Sequence, residues 1–95
     1  MARREVKRDM VEVFEKDVEK WLKKQGCIVK RTESPTFFFI KEGFWGAIEC
    51  KASSRAKFQP GQKEMVAKLD GWSWARVAYP QNWDIIKDEL EEILK

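Results

Sequence analysis

Phe44-Trp45-Gly46-Ala47-Ile48-Glu49-Cys50-Lys51 is the stretch on which the fold turns. It reads as a strand, and its alternation puts Glu49 and Lys51 on one face and Ile48 and Cys50 on the other. Opposite charges on one face of an otherwise apolar strand are costly unless they are paired or used. A carboxylate two residues before a lysine, on rigid strand geometry, suits metal-dependent phosphodiester hydrolysis. The carboxylate can hold a hard cation, and the ammonium can orient a water or steady developing negative charge.

Working outward, Thr36-Phe37-Phe38-Phe39-Ile40 reads as an apolar strand joined to residues 44–51 by the tight turn Lys41-Glu42-Gly43. Cys27-Ile28-Val29-Lys30 reads as a shorter strand before it. Upstream, Val6, Met10, Val13, Phe14, Val18, Trp21 and Leu22 recur at helical spacing, predicting a helix from about residue 3 to 25 that stops at Gly26. Downstream, residues 52–59 form a basic polar loop, and Pro60 fits the first turn of a second helix with Met65, Val66 and Leu69 on its apolar stripe. Trp72 to Tyr79 reads as a fourth strand. Asn82 is placed to cap a last helix with Ile85, Ile86, Leu90, Ile93 and Leu94 on one face. The order αβββαβα predicts an α/β domain: a mixed four-stranded sheet flanked by helices, its first three strands antiparallel and its fourth reached by a crossover.

Ninety-five residues predict a single domain, 1–95, with a modest core. No apolar run approaches the roughly 20 residues of a membrane span. No apolar segment follows Met1-Ala2-Arg3-Arg4-Glu5, so no secretory signal is expected. Two cysteines without zinc spacing read as buried thiols in a reducing compartment, and a cytoplasmic, intracellular protein is the expectation. The absence of histidine excludes Ser-His-Asp chemistry and imidazole-ligated metals. Any metal would be held by oxygen, which points to magnesium or manganese. The net charge of +3 is uneven: residues 1–32 carry +4, residues 33–68 carry +2 and residues 69–95 carry −3. A basic front and an acidic tail suit one face meeting a polyanion. The acidic last helix, with Asp84, Asp88, Glu89, Glu91 and Glu92, also admits a protein-interaction module.

With Glu-x-Lys on the third strand of that element order, the chain resembles the PD-(D/E)XK nuclease superfamily, whose core is restriction-endonuclease-like. Its look is nearest to archaeal Holliday junction resolvases and small virus-type VRR-NUC nucleases. The resemblance spans nearly the whole chain. Phe14-Glu15 precedes Gly26 as the family's first-helix glutamate precedes the glycine opening strand one, and Phe58-Gln59-Pro60-Gly61-Gln62 matches its loop-to-helix passage. The resemblance implies a Mg2+- or Mn2+-dependent endodeoxyribonuclease, structure-selective for branched DNA and working as a homodimer. It implies Glu49, Lys51, Glu15 and Gln62 as catalytic residues, and Glu49, Glu15 and Cys50 as metal ligands. Asp17 is a rival to Glu15 from its place near the apolar face. Lys30, Arg31, Arg55, Lys57 and Lys63 are candidates for phosphate contacts to branched or duplex DNA.

One position departs from the family. Where an aspartate opens strand two, this chain reads Glu33-Ser34-Pro35-Thr36-Phe37, so Thr36 or Phe37 stands in its place. A hydroxyl is a far weaker magnesium ligand than a carboxylate. Three readings stay open: Glu33 or Glu42 substitutes; the position has been altered to silence the enzyme; or the chain is a catalytically silent DNA-binding or regulatory relative. Among the aromatic residues, Trp21 and Trp74 read as core, and Trp45, Trp72 and Trp83 as core, dimer contacts or stacking platforms.

Overall fold

The computed structural model describes the backbone of residues 2–95 and the side chains from Met10 onward. Its elements run α1 (Ala2–Lys24), β1 (Ile28–Arg31), β2 (Phe37–Lys41), β3 (Phe44–Cys50), α2 (Gln62–Trp72), β4 (Ala75–Ala78) and α3 (Trp83–Ile93). One mixed sheet of order β1-β2-β3-β4 results, antiparallel through the first three strands and parallel between β3 and β4. The class and the order αβββαβα are those the periodicities predict.

Local chemistry explains the joints. Glu42 (φ 48°) and Gly43 (φ 87°) both take left-handed backbone, the geometry a two-residue hairpin needs to match strand twist. Lys41 pairs with Phe44 across that turn. Gly46, mid-strand, leaves room for two rings: a Cβ there would sit 2.6 Å from Phe39 Cζ and 3.1 Å from Trp74 Cε3.

The two sheet faces are covered unequally. On one, Phe37, Phe39, Ile48 and Cys50 meet Phe14, Val18 and Leu22 of α1 and Trp83, Ile86 and Leu90 of α3 in the main core. On the other, Ala47 and Ala75 meet Leu69 of α2, with Phe38, Trp45 and Val66 packed alongside. The α2 helix contacts β3 and β4, so β1 and β2 carry no helix on this side.

Several boundaries differ from the expectation. The second helix starts at Gln62, not Pro60, because Gly61 takes left-handed backbone at the cap (φ 83°). It continues through Gly71 to Trp72, so β4 begins at Ala75 rather than Trp72. Asn82 stands at the start of α3 but makes no side-chain cap bond. Its Oδ1 accepts the Tyr79 N–H (2.9 Å) and its Nδ2 donates to the Val77 carbonyl (3.0 Å), tying the exit of β4 to the helix. Ile85 projects into solvent rather than joining the apolar face of α3. Trp74 and Trp83 are core, Trp21 is partly buried against the core, and Trp72 is exposed. Val6 belongs to residues whose side chains lie outside the described set. Among the described residues, no helix is long and apolar enough to cross a membrane.

Candidate active site

Strand β3 carries Glu49 to the face that α2 covers, beside Ala47 and opposite the core side chains of Ile48 and Cys50. Glu49 is 4 % exposed. Its Oε2 lies 3.7 Å from Lys51 Nζ and 3.5 Å from Gln62 Nε2. Its Oε1 is buried with no hydrogen-bond partner among the described residues. Such an oxygen costs about 1–3 kcal/mol, more when charged, so it marks a group held for something other than stability. Burial pushes the Glu49 carboxyl above its ordinary range; Lys51 and the nearby Thr36 backbone N–H pull it back, and Glu15 pushes it further up.

Gln62, the first residue of α2, organises the site. Its Oε1 accepts from Lys51 Nζ (2.9 Å) and from the Gln59 N–H (2.7 Å). The second bond satisfies a backbone donor ahead of the helix, as capping residues do. Its Nε2 donates to Ser34 Oγ (3.3 Å) as well as facing Glu49. Lys51 Nζ also donates to the Lys57 carbonyl (3.2 Å) and lies 4.9 Å above the Phe58 ring. The loop 52–59 therefore closes over the lysine. Ser34 is the site member that sequence reasoning missed; its place in a Pro-containing turn gave no hint that it faces α2.

Thr36 is the residue at the family's aspartate position that touches β3. It is buried, and its Oγ1 accepts the Cys50 N–H at 3.0 Å. That bond replaces a ladder bond where β2 and β3 end their pairing at Phe37–Ile48. Phe37 is wholly within the core. Glu42 sits in the hairpin at the opposite end of β3 from Glu49, and Glu33 is exposed without an ion-pair partner among the described residues. Glu42 is therefore too far along β3 to supply the missing carboxylate.

The remaining candidates divide. Glu15 projects from α1 close enough to influence Glu49, but its Oε1 is held by Arg31 Nη1 at 3.0 Å. Asp17 is exposed, at the margin of the apolar face of α1 beside Val13 and Phe14. The Cys50 thiol lies in the core on the face away from Glu49, and burial drives its pKa far up, so the thiol itself does not join Glu49 at this site. Lys63 shares the Phe58 ring with Lys51 (5.2 Å), and Arg55 and Lys57 are exposed on the adjoining loop, whose Lys57 carbonyl accepts from Lys51. Arg31 is spent on Glu15 and the Phe37 ring (5.0 Å). Lys30 stands on β1 facing Phe38, two strands away from β3.

Among the described residues, no three His, Cys, Asp or Glu side chains converge as a metal cage. What the site offers is one buried carboxylate with a free oxygen, with Glu15 near enough to act on its charge but paired with Arg31. A single free carboxylate oxygen is the least that a magnesium-like ion takes from a protein, since it keeps several waters and can take substrate phosphate beside one carboxylate. It does not fit a closed structural site.

No family model, no curated protein and no solved structure matches this chain.

Proposed function

We propose that the chain is a divalent-metal-dependent DNA endonuclease, with Glu49, Lys51 and Gln62 at its centre and Glu15 behind them. The observation carrying this reading is the unpartnered, buried Glu49 Oε1 beside a lysine that Gln62 holds in place. The resemblance to PD-(D/E)XK nucleases supports the same assignment from the order of elements. Glu49, with Glu15, would hold Mg2+ or Mn2+. Bound there, the ion would polarise a scissile phosphate and lower the pKa of a water. Lys51 offsets negative charge on the phosphate as the P–O bond breaks, and Gln62 keeps the ammonium pointed. Arg55, Lys57 and Lys63 neutralise neighbouring phosphates, which makes binding salt-dependent and indifferent to sequence. Branched DNA is the proposed substrate class, with an intracellular setting and a second copy of the chain presenting a second site.

A second reading, a DNA-binding relative that does not cut, is favoured by Thr36. The hydroxyl at the family's aspartate position is already committed to the Cys50 N–H.

Cleavage of a labelled four-way junction, a flap and a plain duplex, each with EDTA, Mg2+ or Mn2+, tests both. Metal-dependent cutting that disappears in Glu49→Gln is the expected result. A Glu49→Gln protein cutting as fast as the parent sinks the first reading. Binding without cutting in any metal selects the second.

A further inference from the structure

Alternation places Ile28 and Lys30 of β1, Phe38 and Ile40 of β2, and Trp45, Ala47 and Glu49 of β3 on one side of the sheet. The α2 helix covers this side over β3 and β4, and the β1–β2 strip stays open. There Ile28, Lys30, Phe38, Ile40 and Trp45 line a shallow recess of about 390 Å³, a volume in the range of small-ligand sites. Phe38 and Trp45 are half-buried, their ring centroids 6.2 Å apart and their planes at 44°. Both pack against the Ala47, Leu69 and Ala75 cluster, which fixes them in place. Ile28 and Ile40 stand 75 % and 46 % exposed. Lys30 is exposed and paired across the strands with Phe38, and no carboxylate lines the recess among the described residues. Phe38 in turn pairs with Ala47, two residues before Glu49. At about 3.3 Å per residue and about 4.8 Å between strands, Phe38 lies about 8 Å from Glu49 and Trp45 about 13 Å, measured between backbones.

We propose that this recess is a stacking platform for an unpaired base on the strand whose phosphate Glu49 engages, with Lys30 taking a neighbouring phosphate. The inference rests on the DNA reading above, cutting or silent, and narrows its substrate. The DNA carries unpaired nucleotides within a few phosphates of the contacted one, given about 3.4 Å between phosphates along a duplex strand and more in an extended one. Three observations select this occupant. Within a duplex each base is covered by its neighbours, so a fixed aromatic ledge gains a π-face only from a base outside the stack. The one charged residue lining the recess, among the described residues, is a cation, which matches a phosphate. The ledge is also continuous with the candidate active site. Arg55, Lys57 and Lys63 lie beyond Glu49, on the loop and helix that follow β3, so a strand crossing from Lys30 to them passes the carboxylate. Stacking accepts any base, so the platform selects structure and not sequence.

Fluorescence anisotropy in EDTA, where metal-dependent cutting is suppressed, tests the platform with two labelled duplexes: one with a single-stranded tail, the other with an abasic tail of the same length. The tails carry the same phosphates, so their difference reads the bases alone. The parent protein is expected to bind the base-bearing tail about 10-fold tighter, the equivalent of one stacked base. Phe38→Leu and Trp45→Leu are each expected to weaken that binding by about 10-fold and to leave the abasic tail unchanged. Lys30→Gln is expected to weaken both tails alike and to lower the salt dependence. Far-UV circular dichroism checks the fold of each variant, and the comparison of tails on the parent needs no variant. Equal binding of the two tails overturns the proposal and leaves the nuclease reading standing. A base preference that survives both Phe38→Leu and Trp45→Leu overturns it too, by placing the base elsewhere. A base preference lost in those variants, in a chain that cuts no DNA, upholds the platform while the nuclease reading fails. Binding to neither tail overturns the proposal together with the DNA reading, and the recess would then fit an apolar segment of a protein partner.

Discussion

Lys51 Nζ lies closer to Gln62 Oε1 (2.9 Å) than to Glu49 Oε2 (3.7 Å). The lysine of the Glu-x-Lys pair is therefore positioned by an amide from another element rather than by its strand neighbour, and the carboxylate keeps an oxygen free. A tight Glu49–Lys51 pair would be a self-satisfied ion pair with nothing left for a ligand.

Replacing Gln62 by Leu removes the acceptor for both Lys51 and the Gln59 N–H. The expected cost is about 1–3 kcal/mol of stability, read by urea unfolding. Cleavage is expected to fall on the order of 100-fold. Gln62→Glu keeps an acceptor but sets a second carboxylate beside Glu49. Its cleavage is expected to depend more steeply on metal concentration than that of the parent.

Glu49→Gln is expected to abolish cutting while raising the melting temperature at neutral pH. The sign follows from burial: the folded state raises the Glu49 pKa above 4.5, so the charged carboxylate opposes folding at high pH. Below the unfolded pKa both states are protonated and the opposition disappears. The stability gain of Glu49→Gln should thus be largest at pH 7 and shrink as pH falls towards about 4. A gain that does not change with pH would contradict this account.

Thr36 gives the means to separate the two functional readings. Thr36→Val strands the Cys50 N–H and should cost about 1–3 kcal/mol. Thr36→Asp can still accept that N–H but places a carboxylate near Glu49, so the variant should melt lower than the parent in EDTA. Added Mn2+ should restore it through mass-action stabilisation of the folded state. If Mn2+ leaves the melting temperature of Thr36→Asp unchanged, no metal site forms there.

Gly46→Ala tests the packing beneath the site. Its Cβ would lie 2.6 Å from the buried Phe39 ring and 3.1 Å from Trp74. Neither ring is free to move, so a loss of about 1–3 kcal/mol is expected by calorimetry.

Much of this protein was legible from its residue order. The hairpin followed from an apolar run, a Lys-Glu-Gly turn and a second apolar run. The separation of Glu49 from Ile48 and Cys50 followed from the strand period. Both are local properties, set by the alternation of side chains and by the backbone that Glu42 and Gly43 adopt. Periodicity misplaced Ile85, because spacing identifies a stripe but not how far a neighbouring element extends over its margins.

By itself the sequence determined the class, the order αβββαβα and the pairing of a carboxylate with a lysine at the end of β3. The tertiary structure decided the rest: that Gln62 rather than Glu49 holds Lys51, that Ser34 joins them, that Arg31 occupies Glu15, and that α2 covers half a sheet. These depend on where a helix lies across strands distant in sequence. That position is set by packing Leu69 against Ala47 and Ala75 and by the Asp70–Arg76 contact at the sheet edge. Contacts of this kind leave no period in the chain, so they become visible once the elements are assembled.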